Sequence, residues 1–573
     1  MVLKGVGAFT GVGIGRMLCL AGEKPDYSAA VFAGAGAELA RVKTAARMFR
    51  TKTKALSEAM RRRAGREEAA ILDVQNAILE DRALRDQVDA EIQGGKCAEA
   101  ALDEVCGRYA RMFEEKPSEL MRQRAADMRD FRDRMLKILL GIPDVRLEEI
   151  PPGSVLAVRE LTPSMMVNLR PDLAAIVTER GGKTSHAAIM AQALGIPTVL
   201  GVGHLLDAAT DGMLAVVDGQ SGVVLLEPDD RALEHCREKQ RRIAAARRKL
   251  AVYKGRPTLD ADGGRYLLHA NISVPEEAAH ALADGAEGIG LLRTEFLFLG
   301  RAVPPGEEEQ ARTYTQLASE MQGRPVWVRT LDAGGDKEIE SLGMARPANP
   351  FLGQRGIRYS LAHPGPFQEQ LRAVLRAGAG RHNIALMLPM VTCVTEVRQV
   401  RALLEACKTQ LAAENVPFDP ALPLGITIET PSAVSTADLL AKEVDFFSLG
   451  TNDLTQYILA VDRGNPGVGG LYTPFHPAVL RALQSVVRAG LHAGIQVGLC
   501  GAAAADVRMV PLLLAFGLQE FSVSPSQLLA TRAAIARWGK AEAAAVADRA
   551  MALWEPAAIE EYLTREANKK ELL

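Results

Sequence analysis

A chain of 573 residues is too long for a single core and calls for about three or four domains. With 48% hydrophobic and 24% charged residues and a formal charge of −2, it has the make-up of a globular protein, with no general basic field for nucleic acid and no polybasic membrane patch. Seven cysteines, at 19, 97, 106, 236, 393, 407 and 500, form no CxxC pair and leave an odd thiol, which argues for a reducing compartment over a disulfide framework or a zinc ribbon.

The opening stretch, "MVLKGVGAFTGVGIGRMLCLAGE", is as apolar as a secretory leader, but Lys4 and Arg16 interrupt it. Its recurring glycines suit strand, turn and strand better than a helix. No later stretch is both long and uniformly apolar enough for a membrane span, so none is expected and the chain reads as cytoplasmic. From about Ala37 to Leu140 the texture becomes helical. In "AILEDRALRDQVDAEI" apolar residues return every three or four positions, the period of a packed helix. Residues 21–144 are therefore expected to form a helical bundle, which the prolines of "GIPDVRLEEIPPGSVLAV" bring to an end.

Beyond it, "SVLAV", "LAAIVTE", "TVLGV", "MLAVVDG" and "GVVLLE" alternate short apolar strands with turns. Residues 145–228 read as a small α/β domain that residues 1–20 join, which makes the bundle an insertion. Between two of these strands lies "GGKTSHAAIM", with His186 at the head of an alanine-rich helical run. The exposed N–H groups of a helix start disfavour a cation and favour an anion, so a neutral imidazole about to carry a phosphoryl group suits the place. A lone histidine near a cap is by itself a weak signal. Residues 229–258, opening with "DDRALEHCREKQRRIAAARRKLAVYK", read as a charged linker helix with a solvated face.

From 259 to 573 the sequence repeats strand and helix. The strands are expected at "RYLLHANI", "GIGLLRTEF", "PVWVRTLD", "NIALMLPMV", "LPLGITIET", "VDFFSLGTND", "IQVGLCG" and "EFSVSP", the number a (β/α)8 barrel needs. The fold class is thus α/β: a C-terminal (β/α)8 barrel plus a small α/β domain with an inserted helical bundle. Asn271, Arg293, Arg329, Met390, Glu429, Asn452, Asp453 and Cys500 all fall at or just past a strand's C-terminal end, the barrel face that builds active sites. Arg293, Arg329 and Arg355 bring guanidiniums towards one mouth, where they repel each other unless a polyanion lies among them. Glu429 and Asp453, with Asn452 beside them and Arg463 soon after, are an oxygen-rich set suited to magnesium and phosphate, which their joint position favours over simple neutralisation of the arginines. Cys500 is aimed into the mouth as a thiol able to donate or accept a proton at carbon, whereas Cys393 and Cys407 read as small buried hydrophobes.

Together, "GGKTSHAAIMAQALGIPTVLGV", "GAEGIGLLRTEFLF", "VRTLDAGGDKE", "NPFLGQRGIR", "ETPSAV" and "VDFFSLGTNDLTQYILAVDRGN" resemble Enzyme I of the bacterial phosphoenolpyruvate:sugar phosphotransferase system. The resemblance spans nearly the whole chain, and its motifs are long and in family order. It implies that His186 is a phosphohistidine intermediate. Arg293, Arg329, Asn452, Asp453, Arg463 and Arg355 correspond to the family's residues that bind phosphoenolpyruvate. Glu429 and Asp453 match its Mg2+ ligands, and Cys500 matches the acid that protonates the enolpyruvate carbon to give pyruvate. It further implies that the small domain is the phosphohistidine domain, that the helical insertion docks the phosphocarrier protein HPr, and that the barrel holds a homodimer. Two departures stand out: Ala502 occupies the position after Cys-Gly where family members carry glutamate, and "DVQNA" replaces a histidine-containing stretch in the insertion.

Two other readings compete. A phosphoenolpyruvate synthase or pyruvate,phosphate dikinase shares the histidine domain and barrel but needs a nucleotide-binding domain, and the chain has no phosphate-gripping Gly-rich loop with lysine. A non-catalytic signalling scaffold would be expected to have lost the histidine, the arginines or the acidic pair, and all are present.

Overall fold

The computed structural model describes residues 1–573 except 10, 21–24, 64–74, 115–118, 143–149, 162–164, 166–168, 171, 182–195, 276, 300–302, 336–338, 345–346, 466 and 573. The chain forms two compact units, Met1–Arg247 and Arg248–Leu573. No helix among the described residues is long and apolar enough to cross a membrane.

The first unit contains an eight-stranded sheet. Its strands are β1 (Val2–Lys4), β2 (Val6–Phe9), β3 (Val12–Leu20), β4 (Val155–Val158), β5 (Ala175–Thr178), β6 (Thr198–Leu200), β7 (Leu214–Asp218) and β8 (Val223–Leu226). They lie in the order β1-β8-β7-β3-β4-β5-β6-β2. β3 to β6 run parallel, and β4 and β5 are buried at every residue, as a parallel sheet covered on both faces requires. β3 pairs with β4 across the whole helical stretch between them, so the helices are an excursion from the sheet. These are α1 (Ala35–Arg63), α2 (Arg82–Gln93), α3 (Ala98–Glu114) and α4 (Glu119–Leu140). α2 begins where Asp81 Oδ1 accepts the Leu84 N–H at 2.8 Å. Phe49 and Phe131 meet edge to face, 5.1 Å between centroids, in a core that includes Val105 and Leu136.

β5 and β6 pair in parallel, so the chain between them must cross over. Residues 182–195 make up most of that connection; they and His186 lie outside the described residues. The charged helix expected after the sheet is α5 (Asp230–Ala251). Exposed pairs such as Arg242–Glu238 at 2.6 Å line it, as a solvated face does.

The second unit is a closed parallel barrel. Its strands are β9 (Leu267–Ile272), β10 (Ile289–Arg293), β11 (Val326–Arg329), β12 (Ile384–Leu388), β13 (Leu424–Ile428), β14 (Phe446–Leu449), β15 (Gln496–Leu499) and β16 (Glu520–Val523), and β16 pairs with β9 to close it. All eight apolar runs named from the sequence are strands. Alternate residues, such as Leu268, Ala270, Ile426 and Ile428, face out into the core shared with the helices. Inside, Leu291, Trp327, Ala385, Met387, Phe446 and Cys500 form a separate cluster, with the Trp327 and Phe446 rings stacked 4.1 Å apart.

Glycines make this interior possible. A Cβ at Gly425 would enter the Phe446 ring, and one at Gly498 would overlap Glu520 Oε2. Gly498→Ala is therefore expected to cost about 1–3 kcal/mol by overpacking, read as a lower denaturant midpoint. An unchanged midpoint would mean that the carboxylate has room to move. One sequence expectation fails here. Cys407 is buried, but Cys393 is exposed, because it caps the helix Val394–Ala413 and helix starts sit at the surface to satisfy their free N–H groups.

Candidate active site

The strand ends bring the residues of the barrel cluster into one mouth. Arg293 and Arg329 are register partners at the ends of β10 and β11. Arg329 is buried and its Nη2 donates to Glu295 Oε1 at 2.9 Å, with Asp332 Oδ2 at 3.5 Å. Those carboxylates hold its guanidinium firmly charged despite burial. Its Nε donates to no described group. Arg293 is open to solvent, and among the described residues its guanidinium bonds Ser273 Oγ, at 3.3 Å. Partial loss of water around its inner side, and after it the Arg329 charge, lowers its hold on its proton. Two like charges side by side with donors to spare are a site built for an anion.

Arg355 behaves differently. It is fully buried and spends its guanidinium on carboxylates: Nε and Nη2 donate to Asp332 Oδ1 and Oδ2, each at 3.1 Å, and Nη1 to Asp453 Oδ1 at 3.0 Å. Its donors hold the acidic residues in place, in contrast to the open guanidinium of Arg293. Arg463 approaches the same Asp453 oxygen at 3.7 Å. Asp453 pairs directly with arginine, whereas Glu429 makes no ion pair among the described residues and feels the Arg329 and Arg355 charges only at longer range.

Glu429 is buried, and its Oε1 accepts the Met390 N–H at 2.7 Å. Met390 reaches it from a left-handed backbone, φ 61°, a conformation that costs a non-glycine residue about 1–3 kcal/mol. Oε2 accepts from no donor among the described residues. Burial, then the charges of Asp453 and Asp332, push the Glu429 carboxyl up to about 7. Carboxylates that raise one another's proton affinity are relieved by a cation, and an all-oxygen set suits a hard one. Among the described residues no cluster of three or more metal-binding side chains exists. Two neighbouring carboxylates are a share that a hard cation can complete with oxygens from other ligands and water.

Cys500 follows β15 into the same mouth and is buried, its Sγ 3.8 Å from Leu449 O. Burial pushes the thiol up to about 11. Ser448 and the Arg329 charge pull the other way, Glu429 and Glu520 the same way. The group is thus kept as S–H, the form that can give a proton. Asn452 Oδ1 accepts the Ala502 N–H at 2.8 Å, which pins the loop after Cys500, while the Ala502 side chain itself is exposed. Asn271 is tied down by Cys500 O at 2.9 Å and Ser522 O at 3.0 Å, and so braces the strand ends.

Sequence reasoning missed Glu295, Asp332 and Tyr457, whose hydroxyl lies 3.4 Å from Arg355 Nη1. The signal for the first two was their spacing, two residues after Arg293 and three after Arg329, within motifs already singled out.

Three families match in sequence. The PEP-utilising enzyme N-terminal family matches residues 4–124, its mobile domain residues 150–222 and its PEP-binding domain residues 247–539. The chain is 39% identical to a phosphoenolpyruvate-protein phosphotransferase of Geobacillus stearothermophilus, over 96% of both chains. It is 38% identical to one of Priestia megaterium over 94% of both, and 37% identical to one of Streptococcus equinus over 98% of both. The chain belongs to the phosphoenolpyruvate–protein phosphotransferases.

A phosphoenolpyruvate–protein phosphotransferase is an enzyme that uses phosphoenolpyruvate as its phosphoryl donor, and that chemistry now applies to this chain. Relatives matched over nearly their full length bear this name, which favours it over the dikinase and scaffold readings. His186 falls within the residues matched by the mobile domain, and the mouth residues within those matched by the PEP-binding domain.

Proposed function

We propose that phosphoenolpyruvate reacts at the barrel mouth, that its phosphoryl group passes to the imidazole of His186, and that the phosphohistidine then serves the histidine of an HPr-type phosphocarrier. The observation that carries this reading is the Arg293–Arg329 pair: adjacent guanidiniums with unused donors, beside a buried carboxylate pair and a protonated thiol. Arg293 and Arg329 would grip the phosphate and carboxylate groups, with Arg463 and Asn452 at the rim. Arg355 would act by fixing Asp332 and Asp453. Glu429 and Asp453 would hold Mg2+, which when bound neutralises charge on the phosphoryl oxygens. As the P–O bond to the enol breaks and the bond to the His186 nitrogen forms, the guanidiniums offset the charge left on the enolate. Cys500 then gives its proton to the enolate carbon, and pyruvate leaves. Support for His186 as acceptor is its sequence setting and its place in the mobile domain. The helical insertion as the carrier's docking module and a homodimer formed through the barrel follow from the same family resemblance.

The test is incubation with phosphoenolpyruvate labelled on phosphorus, in Mg2+. Acid-labile, base-stable label is expected on the wild type and none on His186→Ala. Label on the alanine variant would move the intermediate elsewhere, and label from ATP alone would restore the dikinase reading.

A further inference from the structure

At the ends of β10 and β11, side chains join the strand ladder in holding the backbone. The hydroxyl of Thr294, one residue after Arg293, donates to the Arg329 carbonyl at 2.9 Å. The Leu331 N–H, two residues after Arg329, is accepted by Gln370 Oε1 at 3.0 Å. Gln370 stands on the helix Pro364–Gly378, in the layer outside the strands. Its Nε2 donates to both Thr294 Oγ1 and the Tyr314 hydroxyl, each at 3.3 Å. Tyr314 in turn donates to Gln310 Oε1 at 3.1 Å, and Gln310 Nε2 to the Pro305 carbonyl at 3.0 Å. Thr294, Gln370, Tyr314 and Gln310 are all wholly buried.

The direction of each central bond is forced. A carbonyl only accepts, so Thr294 gives its hydrogen to Arg329 and keeps a lone pair for Gln370. An N–H only donates, so the Gln370 oxygen faces Leu331 and its NH2 faces Thr294 and Tyr314. The one amide thus uses both hydrogens and its oxygen, and it ties the segment after Arg293 to the segment after Arg329. A brace at this place has a task. Arg293 and Arg329 are register partners of like charge, and the second weakens the first's hold on its proton. Without an anion between them, their repulsion works to part the two strand ends. Glu295 and Asp332 direct the Arg329 guanidinium, but the backbone that carries it is held by Thr294 and Gln370.

We propose that Gln370 and Thr294 are positioning residues for phosphoenolpyruvate: they hold the Arg293 and Arg329 backbones at the spacing the substrate spans before it arrives. This rests on the reading above that the two arginines bind substrate. Both residues are buried and meet no substrate, so they act only through the arginines. A pair already spaced needs no ordering when the anion binds. Once seated, the anion holds both guanidiniums itself, so loss of the brace weakens binding and leaves the bound complex competent.

The test follows pyruvate formation by the full-length enzyme in a single turnover with Mg2+, at a series of phosphoenolpyruvate concentrations. Gln370→Met keeps the stem and removes the amide, and Thr294→Val keeps the shape and removes the hydroxyl. In both, the half-saturating concentration is expected to rise about tenfold, the scale of one lost hydrogen bond, while the limiting rate stays within about threefold of wild type. Thr294→Ser retains the hydroxyl and is expected to behave as the wild type does. Thr294→Val decides the matter should Gln370→Met fail to fold. An unchanged half-saturating concentration in Thr294→Val would overturn the brace. So would a loss confined to amplitude, which counts folded molecules and marks a purely structural role. Arg329→Met separates the two layers of argument. Impaired turnover there with normal Thr294→Val removes the brace alone, whereas unimpaired turnover removes the arginine as substrate ligand and the brace with it.

Discussion

Arg329→Met is expected to lower phosphoenolpyruvate turnover by about 10³–10⁵, the range measured where one arginine neutralises a transferring phosphoryl group. Methionine keeps the apolar stem as far as the position of Nε, so the change removes the charged, donor-bearing end and little else. Arg329 is held on the substrate side of Glu295 at 2.9 Å and Asp332 at 3.5 Å, which fix its orientation before any ligand arrives. Glu295 retains the Asp332 N–H at 3.0 Å after the change, so the loop after β11 keeps one of its anchors. The check is the initial rate of pyruvate release at saturating and at low phosphoenolpyruvate. A fall of less than about tenfold would mean that Arg329 is a structural partner of Glu295 and meets no substrate.

Asp332→Ala acts on the fold. Its two oxygens take two of the Arg355 nitrogens at 3.1 Å, and both side chains are wholly buried. Without Asp332, the Arg355 guanidinium keeps Asp453 at 3.0 Å and the Tyr457 hydroxyl at 3.4 Å, and its other face is left in the interior uncompensated. Removing one partner of a buried ion pair costs about 3–5 kcal/mol. Denaturant unfolding followed by tryptophan fluorescence should show that loss, since Trp327 sits in the barrel interior. A change under about 1 kcal/mol would show that Asp453 alone suffices to hold the charge. The activity of the folded fraction should fall too, because Asp453 is placed through the same guanidinium.

The barrel was legible because its strands are short apolar runs whose polar residues collect at one end. That pattern alone places Arg293, Arg329, Glu429 and Cys500 on one face. What each does there was less legible. Whether an arginine at a strand end waits for substrate or buries itself on a neighbour's acid depends on cross-strand partners brought together by closure. Arg355 and Asp453 are 98 positions apart in sequence and share a bond at 3.0 Å. Glu295 went unnamed for the same reason, since its partner Arg329 ends the neighbouring strand, and so did Asp332, whose bonded partner Arg355 lies 23 positions further on. Cys393 was misplaced because its apolar neighbours hide a helix start. The polar half of the barrel interior left no local trace, since glycines at 290 and 498 matter only through the carboxylate of Glu520 that they face. His186 was singled out from its helix-start setting and its family motif, and it lies outside the described residues.

The central claim divides binding from acceptance: guanidiniums in the barrel hold phosphoenolpyruvate, and an imidazole elsewhere in the chain takes the phosphoryl group. Calorimetric titration of phosphoenolpyruvate with Mg2+ into His186→Ala and Arg329→Met tests it directly. The account predicts that His186→Ala binds as the wild type does, within about twofold, and that Arg329→Met binds at least about a hundredfold more weakly. Wild-type affinity in Arg329→Met, or loss of binding in His186→Ala, would contradict it.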